Sequence, residues 1–277
     1  MSADMIREAC RALSGAKRGV ALCGAGLSAE SGIQTFRDKG GIWDQIDVSE
    51  MGTVNGLLRT LERDAGKLLP FFQNLLEAFI NADANPGHRA LAALEENGFI
   101  ESVITQNGDN MHREAGSRKI IELHGNFFRM KCLSCGVAVS MDRKPFLRDI
   151  RDRLNSLRDY SLAGLVSLAP RCAKCGGLMR PDVVMFGEPV QGLFEAIQAA
   201  KDCDVMLVLG TSGMVYPASS IPYRARKDGA FIVEINPREH AFEGITDLYI
   251  PMPAGEALPE ILKGVGCRAV SGCKEAR

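Results

Sequence analysis

Four of the cysteines have the spacing of metal ligands. They form two Cys-x-x-Cys pairs, Cys132 with Cys135 and Cys172 with Cys175, and 36 residues separate the two pairs. Four thiolates are the soft, tetrahedral ligand set that Zn²⁺ prefers, and the pattern implies no open position for catalysis. We therefore predict a structural zinc ion. The alternative is four incidental thiols.

The total cysteine count also bears on the compartment. The chain has nine cysteines, an odd number that cannot all form disulfides within one chain. Its N-terminal segment carries acidic residues and lacks the apolar stretch of a secretory signal. Together with the metal-type spacing, these features favour a reducing compartment, and we expect a cytoplasmic protein.

The composition narrows the classes of partner. The 277 residues include 33 Lys and Arg and 34 Asp and Glu, so the net charge is −1, and 46% of the residues are hydrophobic. This balance argues against a nucleic-acid-binding surface. No apolar run approaches the roughly 18–20 residues that span a bilayer. We expect a soluble globular protein with no direct nucleic-acid or membrane partner.

A glycine-rich turn follows the first apolar run of the chain. The run ends in Gly24-Ala25-Gly26, and a helix can begin near Ser28. A strand, a glycine turn and a helix start favour phosphate binding, because backbone amides and the helix dipole both point at the anion. Position 29 is Ala29, so the third glycine of the dinucleotide fingerprint is missing. By itself, the turn is also compatible with any tight strand-to-helix connection.

Short apolar runs separated by helix-length segments indicate the fold class. They lie at 20–23, 99–105, 205–209 and 231–235, and polar or glycine residues follow several of them. Such runs are typical of a parallel sheet with helices on both faces, which binds ligands at the carboxyl ends of its strands. We predict an α/β fold with a Rossmann-like sheet.

The segment that contains the paired cysteines does not follow this alternation of short apolar runs and helix-length segments. We predict a small zinc-binding module over 129–182, inserted into a discontinuous Rossmann-like domain formed by 1–128 and 183–277. A loop and a helical segment over 38–85 are expected to associate with the small domain. The helical part, 57–82, is expected to be interrupted at Pro70. A charged helix is predicted near 144–158.

Six segments, together with the cysteine pairs, match one known family. They are GAGLSAESGIQTFR (24–37), TQNGDNMHREAG (105–116), ELHGN (122–126), RPDVVMFGE (180–188), GTSGMVYPAS (210–219) and EINPR (234–238). On these motifs the sequence resembles the sirtuin family, from about residue 15 to residue 262. The resemblance implies an NAD-dependent protein-lysine deacylase with a Rossmann-like NAD-binding domain. Its products would be nicotinamide, O-acyl-ADP-ribose and free lysine.

The resemblance also implies the contacts with NAD. Phe36 would screen the reacting sugar carbon from water, and Arg37 would pair with phosphate. Gln106, Asn107 and Asp109 would orient the nicotinamide ribose and hold its carboxamide, and we count Asn107 among the catalytic residues. The complete implied NAD set is Gly24, Ala25, Gly26, Ser28, Phe36, Arg37, Gln106, Asn107, Asp109, Gly210, Thr211, Ser212, Asn236 and Ala254.

His124 is the predicted general base. A lone histidine is usually structural, but this one lies inside the matched ELHGN segment. In the family reaction the acyl oxygen attacks C1′ of the nicotinamide ribose, and the base then activates a ribose hydroxyl. An imidazole suits that step because it titrates near neutral pH. His112 is expected to pack or to support the site, and His88 and His240 carry no special signal.

The segment Arg180 to Glu188 is the predicted peptide site. In the family, an acyl-lysine peptide adds as a strand beside such a segment. The Val184 carbonyl would accept the N–H of the substrate lysine, and Phe186 would line its aliphatic tunnel. An ordinary core strand is the other interpretation of this segment. The predicted substrate-contacting residues are Phe36, His124, Val184, Phe186 and Gly187.

Three departures from the family pattern bear on specificity. Cys23 replaces the usual Thr, and Gly108 replaces the usual Ile beside the nicotinamide pocket. The Tyr-x-x-Arg pair of succinyl-removing relatives is absent, because the first tyrosine of the chain is Tyr160. An apolar pocket would leave a buried carboxylate unpaired. We therefore predict that acetyl or longer neutral acyl groups are preferred. The corresponding stretch contains Phe71, Phe72, Leu75, Leu76 and Phe79.

Other activities fit the same residues less well. An ADP-ribosyltransferase or NAD hydrolase could use the same cleft, but only the second half of deacylation needs the base His124. A non-catalytic zinc-containing binding module would not need the polar residues at the strand ends. A dehydrogenase is disfavoured because the fingerprint glycine is missing.

Overall fold

The computed structural model describes residues 2–36, 41–47, 52–238 and 240–266. Nine strands occur in these residues, numbered here in chain order. They are β1 (Gly19–Cys23), β2 (Ile100–Thr105), β3 (Ile120–Glu122), β4 (Gly125–Cys132), β5 (Ala138–Ser140), β6 (Met179–Val183), β7 (Val205–Leu209), β8 (Phe231–Ile235) and β9 (Leu248–Ile250).

Six of these strands form one parallel sheet in the order β3-β2-β1-β7-β8-β9. The central strands β1 and β7 are buried at all five positions, as expected for a sheet that is covered on both faces. At their carboxyl ends, Cys23 lies opposite both Thr105 and Leu209. Three strands therefore end side by side at one edge of the sheet.

The described ranges contain eleven helices. They are α1 (Ser2–Gly15), α2 (Ala25–Ala29), α3 (Ile42–Gln45), α4 (Val54–Asn81), α5 (Pro86–Glu96), α6 (Met111–Glu114), α7 (Arg143–Asn155), α8 (Leu162–Ser167), α9 (Leu193–Asp202), α10 (Ile221–Lys227) and α11 (Ala254–Val265). A short 3₁₀ turn, Ala218–Ser220, precedes α10. None of the helices in the described ranges combines the length and the apolar character needed to cross a bilayer.

The alternation of side chains along the strands divides the core in two. On one face, Ala21 and Leu207 pack with α1, α5 and α11, and on the other face Leu22 and Val208 pack with α9 and α10. Successive residues of a strand point to opposite faces, so each buried strand contributes to both clusters. The predicted Rossmann-like α/β fold is confirmed.

The remaining three strands form a small antiparallel sheet in the order β5-β4-β6. The cysteine pairs lie at its end, and Met130, Cys132, Cys172 and Met179 form its own apolar cluster. The sheet begins at Gly125 on β4 and pairs that residue with Val183 on β6. It thus reaches slightly beyond the limits 129–182, and the domain division drawn from the sequence stays a prediction.

Helix α4 differs from the expectation for this region. The predicted interruption at Pro70 does not occur, and a single helix runs through it from Val54 to Asn81. Proline removes only one backbone donor from the helix, and the remaining turns on both sides are long enough to keep it continuous. Its start is capped by Thr53, whose hydroxyl oxygen accepts from the Gly56 N–H at 3.0 Å.

The predicted charged helix in the small module is also present, with different ends. It is α7, which covers Arg143–Asn155 instead of 144–158. Arg143 is almost completely buried, and it donates to the carbonyl oxygens of Phe79 and Ala82 and to both carboxylate oxygens of Glu114. This side chain attaches the module to the end of α4 and to α6.

Candidate active site and zinc centre

The glycine turn after β1 is held against the end of β7. The Gly26 N–H donates to the Gly210 carbonyl oxygen at 2.8 Å. A Cβ atom on Gly24 would lie 2.7 Å from that oxygen, and a Cβ on Gly26 would lie 2.7 Å from the Gly210 Cα. Only glycine permits this close approach of two backbones, which leaves the start of α2 at the sheet edge.

Polar side chains from neighbouring strand ends converge on this turn. Asn107 Nδ2 donates to the Gly24 carbonyl oxygen at 2.9 Å and lies 3.1 Å from Ser28 Oγ. Ser28 Oγ donates to Asp109 Oδ2 at 2.6 Å, and Gln106 Nε2 donates to Thr211 Oγ1 at 3.0 Å. The structure therefore brings together residues that are up to 105 positions apart in the chain.

The other predicted NAD contacts are distributed along the same edge. Asn236 follows β8, and its Nδ2 donates to the Thr211 carbonyl oxygen at 3.2 Å. Ser212 is half-buried beside it. Phe36 is 38% exposed, and Arg37 lies outside the described residues. Ala254 is the first residue of α11 and packs in the apolar core.

These residues fit a bound dinucleotide. A glycine turn and a helix start adjoin the carboxyl ends of parallel strands, where open α/β sheets bind nucleotides. The amide and carboxylate groups of Asn107 and Asp109 are only partly used by their neighbours and can serve ribose hydroxyls. The turn supplies backbone amides for phosphate oxygens. The roles of the individual residues toward NAD remain predictions.

His124 lies in the turn between β3 and β4, beside the Gln106 segment. Its Nδ1 is 3.1 Å from the Gln106 carbonyl oxygen. Because a carbonyl oxygen can only accept, Nδ1 carries the proton in the neutral ring, and Nε2 keeps a lone pair. Burial lowers the pKa of His124, and the opposing effect of the Gln106 carbonyl is smaller. The ring is thus a neutral base at physiological pH.

Two other histidines occupy a different environment. His88 and His112 are buried, with their rings edge to face at a centroid distance of 5.0 Å. Burial lowers the pKa of His88 to about 3 and that of His112 to about 4. Both nitrogens of His112 lack a hydrogen-bond partner among the described residues. As predicted, His112 is a packing residue, and His240 stacks on Tyr249 at 4.3 Å.

The predicted peptide segment begins within β6 and directly contacts the His124 turn. The Val184 N–H donates to the His124 carbonyl oxygen at 2.9 Å, and the Phe186 N–H donates to the Gly52 carbonyl oxygen at 2.8 Å. The Met185 N–H donates to Glu188 Oε2 at 2.9 Å. Since these three donors are occupied, a peptide adding along 184–186 would pair through carbonyl oxygens. Phe186 is 45% exposed there.

The four predicted zinc ligands form one cluster. Their sulfur atoms all lie within 4.8 Å of one another. Cys132 Sγ is 3.5 Å from Cys175 Sγ, and Cys135 Sγ is 3.7 Å from Cys172 Sγ. A Zn–S bond of about 2.3 Å implies tetrahedron edges of about 3.8 Å, so the sulfurs are arranged to bind zinc. Four thiolates complete a tetrahedral ligand set, so the cluster suits a structural role.

The whole chain matches known proteins. The model of the Sir2 family matches residues 24–217. The chain belongs to the Sir2 family. An NAD-dependent protein deacylase of Desulfosudis oleivorans is 49% identical over 262 residues, which cover 95% of this chain and 96% of that protein. The resemblance to sirtuins and the expected class of activity are confirmed.

Solved Sir2 structures agree with this membership. The structure of a Sir2 homolog in complex with NAD is 34% identical, has a TM-score of 0.76 and covers 93% of each chain. That of Sir2Af2 bound to a myristoylated histone peptide is 34% identical, with a TM-score of 0.71, and covers 95% of this chain and 97% of that one. NAD and zinc are therefore the cofactors of this Sir2 protein.

Position 108 is one of the expected departures from the family pattern. A Cβ atom on Gly108 would lie 3.0 Å from Cδ2 of Phe127, so the phenyl ring occupies space that a larger residue would need. The ring of Phe127 also packs on Phe79 at a centroid distance of 5.7 Å. An aromatic ring from β4 thus fills the space beside Gly108.

Sequence reasoning missed an ion-pair network beside His124. Glu122, Arg129, Asp182 and Gln191 are joined by hydrogen bonds of 2.6 to 3.0 Å. Glu122 and Asp182 were visible inside quoted motifs, but nothing marked Arg129 or Gln191. An arginine that stands two residues before a lysine in a strand is usually solvent-exposed, and only the fold shows its partners.

Proposed function

We propose that this Sir2 protein removes neutral acyl groups from lysine side chains of proteins and transfers them to the ADP-ribose part of NAD. Its family membership and its deacylase relatives support the reaction class. One water molecule would be consumed, and the products would be nicotinamide, O-acyl-ADP-ribose and the free lysine. Acyl-lysine peptides are the proposed substrate class, and the binding of a myristoylated histone peptide by Sir2Af2 supports it.

The arrangement of His124 is the observation that carries this proposal. The ring is held through Nδ1 by the carbonyl of Gln106, the residue that directly precedes Asn107 in the chain. NAD supplies a ribosyl carbon that accepts the acyl oxygen when nicotinamide leaves. His124 Nε2 then takes a proton from a ribose hydroxyl, and its lowered pKa keeps the lone pair available near pH 7.

The backbone of the peptide segment contacts that of the His124 turn. The Val184 N–H donates to the His124 carbonyl oxygen at 2.9 Å. A lysine whose backbone N–H pairs with the Val184 carbonyl would therefore extend its side chain toward His124. Phe186, which is 45% exposed beside this strand, would cover the aliphatic part of that side chain.

The acyl preference follows from α4. Phe71 and Phe72 are half-buried with rings 5.8 Å apart, while Phe79 is buried in the core. Leu75 and Leu76 pack partly against the same apolar cluster as Phe79. A succinyl carboxylate placed among these side chains would lose water without gaining a cation, at a cost of several kcal/mol, roughly. Acetyl and longer neutral chains would not.

A panel of peptides tests both the reaction and the preference. Acetyl-, octanoyl- and succinyl-lysine versions of one peptide are incubated with NAD, and the products are measured by mass spectrometry. We expect O-acyl-ADP-ribose from the neutral substrates, with succinyl at least tenfold slower, roughly. Free ADP-ribose or ADP-ribosylated protein as the main product would support the hydrolase or transferase instead.

A matched variant sharpens the test of specificity. Phe72→Tyr with Leu75→Arg creates a Tyr-x-x-Arg spacing on α4, and these positions lie on neighbouring turns of one helix face. We expect this double variant to gain activity on succinyl-lysine relative to acetyl-lysine. Phe72→Tyr alone adds a hydroxyl without the cation and serves as the control. An unchanged ratio in the double variant contradicts the assignment of the acyl site.

We propose that the reaction takes place in the cytoplasm. The zinc cluster needs four thiolates, and a reducing compartment keeps them in that state. Localisation of a tagged protein by cell fractionation tests this placement, and recovery mainly from the medium or an oxidising compartment would contradict it.

A further inference from the structure

One guanidinium group joins three parts of the chain next to His124. Arg129 Nε donates to Asp182 Oδ2 at 2.7 Å, and Arg129 Nη1 donates to Glu122 Oε2 at 2.6 Å. Arg129 Nη2 donates to Gln191 Oε1 at 3.0 Å. Gln191 Nε2 in turn donates to Asp182 Oδ1 at 3.0 Å, which closes a ring of hydrogen bonds.

Three of the four groups in this ring are charged, and these three are largely buried. The side chains of Glu122 and Asp182 are 8% and 12% exposed, and that of Arg129 is 25% exposed. Burial alone raises the pKa of both carboxyls, but their hydrogen bonds outweigh it and lower the pKa of each. For Asp182 the main hydrogen bond comes from Arg129. Both carboxylates are thus ionised, and their bonds to Arg129 are charge-assisted.

The ring links the two segments that the proposed reaction uses, which are the His124 turn and the peptide segment. Glu122 stands two residues before His124, and Asp182 stands two residues before Val184. Glu122 belongs to β3 of the parallel sheet, whereas Arg129 and Asp182 belong to β4 and β6 of the small sheet. The ring therefore connects the two sheets at the place where the base and the peptide strand meet.

We propose that Arg129 is a positioning residue that fixes His124 relative to the peptide strand. This inference rests on the proposed deacylase function. Arg129 touches neither NAD nor the acyl-lysine in this assignment. It acts because its planar fork bonds three partners in fixed directions, which a lysine ammonium at the same position does not reproduce. Displacing His124 slows the proton transfer from the ribose hydroxyl, while nicotinamide release does not require that base.

The experiment compares Arg129→Gln with two matched controls. Arg113→Gln removes a different bond to Glu122, of 3.2 Å, and Lys131→Gln removes an ion pair of 3.8 Å with Asp182. Each control loses one carboxylate contact, whereas Arg129 holds both carboxylates. Two activities are measured for every variant: deacylation of an acetyl-lysine peptide and exchange of labelled nicotinamide into NAD. Unfolding temperature and zinc content are measured as controls.

We expect Arg129→Gln to lower deacylation about tenfold or more while nicotinamide exchange falls much less. The ratio of exchange to deacylation therefore rises in Arg129→Gln and stays near the wild-type value in both controls. Arg129→Lys keeps the positive charge, so it should fold like the wild type and show an intermediate ratio. If Arg129→Gln does not fold, Arg129→Lys against the controls decides the question.

Two results would overturn the proposal. One is an equal loss of exchange and deacylation in Arg129→Gln or Arg129→Lys, and the other is a ratio that matches the controls. A wild-type protein without deacylase activity refutes the proposed function separately. In that case, the affinity for the acetyl-lysine peptide in the presence of ADP-ribose tests the positioning role. Weaker peptide binding in Arg129→Gln than in the controls supports the positioning role, and equal binding refutes it.

Discussion

The parallel sheet and the cysteine module are stabilised in different ways. The sheet has an extensive apolar cluster on each face, and its central strands are buried at all positions. The module's own cluster has four buried members, two of which are the zinc ligands Cys132 and Cys172. Its strand β5 is exposed throughout. Apolar burial thus maintains the sheet, whereas the module depends on metal ligation and ion pairs.

The site lies where these two regions join. His124 follows a strand of the parallel sheet and precedes β4 of the module, and the peptide segment leaves the module through β6. A region with a small apolar core can still hold reactive groups in place when a metal ion and an ion-pair network stabilise it. We therefore expect three different effects. Zinc removal should unfold the module, a change at Gly125 should disrupt the junction, and acid should destabilise the sheet domain.

Removing zinc should have the largest effect. Chelation under reducing conditions, or Cys172→Ser, should unfold the module, because structural zinc binding contributes on the order of 10 kcal/mol to such small units. The parallel sheet should stay folded. Limited proteolysis would then cut within 129–182 while far-UV circular dichroism keeps most of its signal, and deacylation is lost. A metal-free protein that resists proteolysis and keeps its activity contradicts this view.

Gly125→Ala should disrupt the junction more than the regions on either side. Gly125 has a φ of +74°, and a Cβ there would lie 1.9 Å from the Asp182 carbonyl oxygen. The backbones of β4 and β6 would have to separate, so we expect a loss of about 3 kcal/mol or more in the free energy of unfolding, and loss of activity.

Gly136→Ala is the matched control for this change. Gly136 has a φ of +72°, and its Cβ would meet no atom within 4 Å. The free energy of unfolding, measured in urea, should then fall by only about 1 kcal/mol, which is the conformational cost of alanine at a positive φ. Similar losses for the two variants would show that the close approach at Gly125 does not matter.

Acid should weaken the sheet domain through its buried histidines. Burial holds the pKa of His112 at about 4 and that of His88 at about 3, whereas an unfolded histidine titrates near 6.5. The unfolded chain therefore binds protons first as the pH falls. Stability is fully present above about pH 6.5 and declines toward pH 4, with about 2 kcal/mol lost per ring at pH 5.

The difference in unfolding free energy between pH 7.5 and pH 5 measures this effect. His112→Gln should reduce that difference by about 2 kcal/mol relative to the wild type, because glutamine does not titrate in this range. The carboxylates of the protein contribute equally to both and cancel in the comparison. An identical pH dependence of wild type and variant would mean that His112 is not held neutral by burial.

Much of the fold could be predicted because its central strands carry a strong signal. The runs at 20–23, 205–209 and 231–235 correspond to β1, β7 and β8, since fully buried strands are continuous apolar runs. The three-residue strands β3 and β9 were not predicted, because they are too short to show a periodic pattern. At Pro70, the helix-breaking tendency of proline predicted an interruption, but the helix continues through this residue.

The site could be predicted only where its residues stand in contiguous motifs. Ser28, Asn107, Asp109 and His124 lie in such segments, and the fold brings them together. Two of the three partners of Arg129, Asp182 and Gln191, are 53 and 62 residues away in sequence, so no local spacing connects them. Charge pairing across a strand junction is decided by register, which the sequence alone does not show.

Turnover of His124→Ala tests the central claim most directly. An acetyl-lysine peptide and NAD are given to the wild type and to this variant, and the rate of O-acetyl-ADP-ribose formation is measured at pH 7.5. ADP-ribose affinity and unfolding temperature serve as controls. We predict a loss of about 100-fold or more with both controls unchanged. A variant that forms the product within about threefold of the wild-type rate would contradict the role of His124 as the base.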